Sequence, residues 1–269
     1  MLVFMVAAGC EPAVPDPGGP PADPPPAVGP VGAPPDLPDC TGVGPVRASG
    51  TLRLVPVRGA GVDDERALAA AEQAARDWRR WGLDVTIAPL RSSDIRAALG
   101  GTDAALAAST AGDEAAEAAH TAQVVGGPLA AAARSFGAED APDTVFMLAV
   151  PTLIAADSPA RNWGLDLRGL TLGVGGLGDA APALAALDLP PVRTPVVFVD
   201  VGTPRRPGDV WRTPAHEIGH ALGLSHRDGG EAVLMRPGVD GQRCRPGISE
   251  AEAAAAAARL APPVPTPGP

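Results

Sequence analysis

Three of the chain's four histidines fall within one short stretch, His216-Glu217-Ile218-Gly219-His220-Ala221-Leu222-Gly223-Leu224-Ser225-His226. His216 and His220 are four residues apart. On an α-helix that spacing puts both on one face, about 6 Å apart along the axis, and two imidazoles so placed can share one tetrahedral Zn²⁺. Gly223 tolerates the positive φ of a helix terminus, so the chain can turn back there and deliver His226 as a third ligand. Three protein ligands leave one position open, the mark of a catalytic zinc rather than a structural one. Glu217, beside the first ligand, is placed to take a proton from water at the metal instead of binding the metal.

These side chains need a helix over about 214–224. Thr213-Pro214 fits an N-cap followed by proline at the first helical position, and Ile218, Leu222 and Leu224 would dock the helix on a sheet. Upstream, 51–57 and 83–89 read as strands. Between them 63–81 reads as a helix, with Asp63 and Asp64 at its start, Leu68, Ala71, Ala75 and Trp78 recurring at helical spacing, and Gly82 ending it. Residues 94–136 are alanine-rich and poorly periodic, an insert of short helices and loops. The apolar run 144–154 predicts a central strand, 167–174 a Gly-flanked edge strand and 195–201 a further buried strand. Ser249 with Glu252 makes a capping box for a last helix over 249–260. Helices against a mixed, twisted sheet give a layered α/β (α+β) domain.

Composition narrows the function. The formal charge is −10 and no lysine occurs, which argues against nucleic acid as a partner. Arg79-Arg80 and Arg205-Arg206 are isolated pairs of surface character. The three cysteines, Cys10, Cys40 and Cys244, make no CxxC pair that could form a thiolate zinc knuckle. Residues 1–9 end in Ala7-Ala8-Gly9 before Cys10, which resembles the end of a bacterial lipoprotein signal peptide. That resemblance implies a lipid on Cys10 and a place in the bacterial cell envelope, anchored to a membrane. Residues 10–45 are rich in proline and too poor in large apolar side chains to fold, so they read as an extended tether. Residues 46–261 form the folded domain, and 262–269 a proline-rich tail. In an oxidising compartment the two remaining cysteines pair, which predicts a Cys40–Cys244 disulfide. The rival reading makes Cys40 a latency thiol that caps the zinc.

The complete HExxHxxGxxH pattern, followed by Met235-Arg236-Pro237, resembles the metzincin zinc peptidases. Gly223-Leu224-Ser225-His226 and the Met-x-Pro turn are most similar to the matrixin branch. The sequence departs from matrixins at Arg227 and Arg236, and with no tyrosine in the chain the tyrosine ligand of the astacin-like branch is excluded. The resemblance implies a zincin-like domain holding one catalytic zinc on His216, His220 and His226, with Glu217 as general base. It implies Met235 as a packing floor beneath the metal, and residues 237–240 as part of the pocket wall. A peptide or protein substrate would lie extended along the edge strand near 170–174, on a monomeric enzyme. A structural calcium site is unsupported: Asp157, Asp166 and Asp179 lie in the expected stretch without a histidine. His120 reads as an ordinary loop histidine. The competing function is a catalytically silent, zinc-stabilised module that binds envelope partners.

Overall fold

The computed structural model describes residues 38–40, 46–96, 131–139, 141–153, 169–173, 192–202, 211–227, 232–236 and 244–261. Cys10, His120, the three aspartates Asp157, Asp166 and Asp179, residues 237–240 and most of the 94–136 insert lie outside them. The described elements are β1 (Thr51–Arg58), α1 (Asp64–Arg80), β2 (Asp84–Ile87), β3 (Arg91–Ser92), a π-helical turn (Ala133–Gly137), β4 (Thr144–Val150), β5 (Gly169–Leu172), β6 (Val196–Asp200), α2 (Thr213–Ala221) and α3 (Glu250–Leu260).

The strands form one sheet in the order β2-β1-β4-β6-β5, with β3 also paired to β1. All neighbours are parallel except β5, which runs antiparallel to β6 at the edge. The fold is thus a layered α/β domain with a mixed sheet. Strands β1 and β2 are joined through α1, the crossover that parallel pairing requires.

Both faces of the sheet are covered, which explains why β4 and β6 read as uninterrupted apolar runs. Val145, Met147 and Ala149 of β4 and Val197 and Val199 of β6 point into one core cluster with α1, α2 and α3. Phe146, Leu148, Val150, Val196 and Phe198 point into the other, with Ile95 and Phe136. The period of two along each strand divides the apolar residues between two cores.

Helix α1 is capped by Asp63, whose Oδ1 accepts from Arg66 N–H at 2.8 Å. Its buried stripe is Ala67, Ala70, Ala71, Ala74, Ala75 and Trp78. Leu68, assigned to that stripe from its spacing, is only half-buried on the flank; small alanines, not leucine, let the helix sit close to the sheet. Trp78 is fully buried and donates its indole N–H to Ala215 O of α2 at 3.1 Å, so α1 is the platform for the second helix. Among the described residues, no helix is long and apolar enough to cross a membrane.

The disulfide joins Cys40 to Cys244. Around it, Cys40 N–H donates to Arg245 O and Arg245 N–H to Pro38 O, both at 2.9 Å. Arg80 holds this strap through Asp39 and through Pro246 O. The next residues along pair with the stretch before Met235: Leu234 N–H donates to Gly247 O and Gly247 N–H to Ala232 O.

Candidate metal centre

Helix α2 starts earlier than its composition suggests. Arg212 occupies the N-cap position with helical backbone angles and makes no side-chain cap, and Thr213 and Pro214 both lie inside the first turn. The expected Thr213 N-cap is therefore absent: Arg212 O already accepts from His216 N–H at 3.0 Å, and the guanidinium is used elsewhere. It is buried, with its two terminal nitrogens on Arg236 O at 2.9 Å and Val233 O at 3.4 Å. Arg212 thus ties the start of α2 to the turn around Met235.

The far end of α2 is closed by a left-handed residue. Gly223 has φ +88°. Gly223 N–H donates to His220 O and Leu224 N–H to Gly219 O, each at 2.9 Å, the paired bonds of a Schellman motif. This turn also sets a ligand, because Leu224 O lies 2.8 Å from His220 Nδ1. Alanine at 223 would hold the same backbone only by adopting αL, at a cost of about 1–2 kcal/mol. Gly223→Ala is expected to lower the melting temperature and weaken zinc binding together, measured by thermal denaturation and chelator competition; an unchanged zinc affinity would separate the turn from the site.

The three imidazoles meet at one point. Their ligand atoms all lie within 4.8 Å of one another, and His226 Nε2 lies 3.2 Å from both His216 Nε2 and His220 Nε2. Nitrogens about 2.05 Å from a common tetrahedral centre stand about 3.3 Å apart. The other ring nitrogens of the helix pair face carbonyls, His216 Nδ1 on Leu234 O and His220 Nδ1 on Leu224 O, both at 2.8 Å. Those bonds place a proton on each Nδ1 and a lone pair on each Nε2. His216 and His220 thus present lone pairs toward His226 Nε2, and three imidazole nitrogens gathered in this way are a donor set that fits a zinc ion.

Met235 lies under this group, fully buried. A Cβ at Gly219 would collide with its sulfur, so glycine between the two helical ligands is what lets the methionine reach the helix. Arg227, the first departure from the matrixin pattern, has a definite place. Its N–H donates to Met235 O at 3.1 Å, and its guanidinium pairs with Glu252 at 3.1 Å. Glu252 also accepts from Ser249, completing the capping box of α3. The loop carrying His226 is therefore fastened to the C-terminal helix.

Glu217 is buried on the sheet side of α2. Its Oε2 accepts from Thr171 Oγ1 of β5 at 2.7 Å. Without metal, burial raises its pKa from an ordinary 4.5 to about 7, against the opposing pull of the Thr171 hydrogen bond. Burial lowers His220 to about 4; burial and then the neighbouring His220 hold His216 well below its ordinary value.

These shifts act on metal-free stability in opposite directions. Below about pH 6.5 the unfolded chain protonates histidines that the folded chain keeps neutral, so stability is lost as the pH falls toward about 4. Between about 4.5 and 7 the folded chain holds a Glu217 proton that the unfolded chain has released, so stability is lost as the pH rises through that window. With two histidines against one carboxyl, the metal-free protein is expected to be most stable near pH 7 (about the crossing of the two trends). Denaturation midpoints across pH 4–9 in chelator check this, and a flat profile would refute it.

Of the residues singled out in the sequence, the structure brings the ligand atoms of His216, His220 and His226 within 4.8 Å of one another, puts Gly223 in the left-handed turn after α2 and Met235 against Gly219, and seats Glu217 on Thr171 of β5. Sequence reasoning missed Arg212, Gly219, Gly169 and Thr171. Gly219 carried a signal, since glycine in a helix interior is about 1 kcal/mol worse than alanine. A lone threonine between Leu170 and Leu172 was a weaker one.

The sequence matches no protein-family model and no curated relative. Among solved structures the chain is similar in shape to metalloproteinase-II from Bacteroides fragilis, with TM-score 0.44 and 14% identity, over 80% of this chain and 57% of that one. It is also similar to an archaemetzincin from Methanopyrus kandleri, with TM-score 0.40 and 15% identity, over 78% of this chain and 96% of that one.

Proposed function

We propose that the chain is a zinc-dependent endopeptidase of metzincin type, most similar to the matrixin branch. One observation carries this: His226 Nε2 lies 3.2 Å from the Nε2 of both His216 and His220, with all three ligand atoms within 4.8 Å of one another and a buried carboxylate on the residue beside the first of them. His216, His220 and His226 would hold the ion. When bound, zinc supplies a Lewis acid for the scissile carbonyl and lowers the pKa of water to about 7. Glu217 takes the proton of the attacking water on its carboxylate and passes it to the departing amine. Strand β5, the antiparallel edge, offers its outer backbone to an extended peptide. The buried Nδ1 bonds keep both helical ligands in one tautomer through the cycle.

The test is zinc loading of the full chain followed by a peptide-library screen. One zinc per chain, cleavage abolished by chelator and restored by zinc would support the proposal. Stoichiometric zinc with no cleavage would favour the zinc-stabilised binding module instead.

The anchoring belongs to the same proposal. Ala7-Ala8-Gly9-Cys10 supports a lipid on Cys10, and the proline-rich stretch supports a tether holding the domain off an envelope membrane. In a bacterial host, labelled fatty acid is expected to enter the wild-type chain and not Cys10→Ser; equal labelling of both would exclude the lipidation site.

A further inference from the structure

The proposed reaction asks Glu217 to hold one carboxylate oxygen steady while the other handles a proton, and β5 is built to do this. Its residues alternate. Leu170 and Leu172 pack into the far core cluster, so Gly169 and Thr171 face α2. Glu217 rests on that pair. A Cβ at position 169 would overlap Glu217 Cγ and Oε1, so the side chain has room only because residue 169 is glycine. Thr171 is 1% exposed. Its Oγ1 lies 2.7 Å from Glu217 Oε2 and 2.9 Å from Glu217 O. A hydroxyl has one proton to give, and an ionised carboxylate is the stronger acceptor. Among the described residues no other hydrogen bond reaches the carboxylate. The donor is itself immobile: threonine is stiff at χ1, and its backbone is locked in register opposite Val197 of β6.

We propose that Gly169 and Thr171 are positioning residues for Glu217, glycine leaving room for its Cγ and Oε1 and the threonine hydroxyl holding Oε2, so that Oε1, which takes no hydrogen bond among the described residues, is the oxygen that handles the proton. This rests on the peptidase reading. It has a consequence for substrate binding as well. The strand that seats the carboxylate on one side presents its backbone edge to the peptide, so the base and the scissile bond are registered to the same four residues.

The test uses the zinc-loaded full chain and a cleaved peptide from the library screen. Thr171→Val keeps the shape and removes the donor. It is expected to lower kcat about 10- to 100-fold, the worth of one hydrogen bond to a charged group, with KM and zinc affinity nearly unchanged. Thr171→Ser, which keeps the hydroxyl, recovers most of the loss. Gly169→Ala pushes Glu217 Cγ, Cδ and Oε1 off their seat and, with its fold checked by circular dichroism, is expected to lose kcat as Thr171→Val does. A second readout needs no metal. At about pH 9, where the metal-free Glu217 is ionised, the infrared carboxylate band that Glu217→Gln removes is expected to shift in Thr171→Val and not in Thr171→Ser. A Thr171→Val enzyme with wild-type kcat, an unmoved band, or a loss that Thr171→Ser shares would overturn the positioning role while leaving the peptidase intact. A wild-type chain that binds zinc and cleaves nothing would overturn the reaction, and the positioning role with it.

Discussion

Glu217→Gln is expected to bind one zinc per chain and cleave peptide about 10²- to 10⁴-fold more slowly than wild type, the usual contribution of a general base. The amide has the shape of the carboxylate and can still accept from Thr171, so the seat on β5 is kept. The ligands are untouched, because His216 and His220 are oriented by Leu234 O and Leu224 O and not by Glu217. What the amide lacks is the capacity to take a proton. The loss should therefore appear in kcat, with zinc content by metal analysis unchanged. In the metal-free state the substitution has the opposite effect on stability. Above about pH 7 the wild type carries a buried, ionised Glu217 with one hydrogen bond. The glutamine variant carries no charge there and is expected to melt higher at pH 8, with the gap closing toward pH 5. Peptide turnover within ten-fold of wild type would remove Glu217 from the chemistry.

Reducing the disulfide, or replacing Cys40 and Cys244 by serine, is expected to cost about 2–5 kcal/mol of unfolding free energy. The bridge spans a sequence separation of 204, and the chain-entropy model puts a loop of that length near the top of this range, at about 5 kcal/mol. The effect should not stop at global stability. The strap at 38–40 is hydrogen-bonded to Arg245, the following Gly247 to Ala232 and Leu234, and Leu234 O to His216 Nδ1. Loosening the strap therefore loosens the carbonyl that orients a ligand, and losing such a support typically lowers metal affinity about 10- to 100-fold. Chemical denaturation with and without reductant, beside chelator competition, measures both. A denaturation midpoint indifferent to reductant would mean the bridge does not form in the folded protein.

What could be read from one dimension is what one element contains. The His216/His220 pair, the Glu217 beside it and the Gly223 turn all lie within or just beyond a single helix, and helical geometry relates them without further information. Strand β4 was legible for a similar reason: its seven buried residues on both faces leave an unbroken apolar run. The contacts that cross between elements were not legible. Thr171 lies 46 residues before Glu217, and only the antiparallel placement of β5 brings them together. Arg212 reads as a charged residue before a helix, and its burial under the Met235 turn follows from packing. Arg227 read as a departure from a family pattern until the fold put Glu252 beside it. Alanine occurs in so many positions that the buried stripe of α1 was blurred, which is why Leu68 was assigned inward. Strand β3, two residues long, is too short for any periodicity.

The disulfide closes the folded domain into a covalent ring, and a ring behaves differently from a line when it is cut. A single break anywhere between Cys40 and Cys244 yields two pieces that stay joined through the bridge. The upstream piece keeps the strap, the downstream piece keeps Cys244 and α3, and neither diffuses away. Nicked molecules would thus run at full size on a non-reducing gel and separate only with reductant.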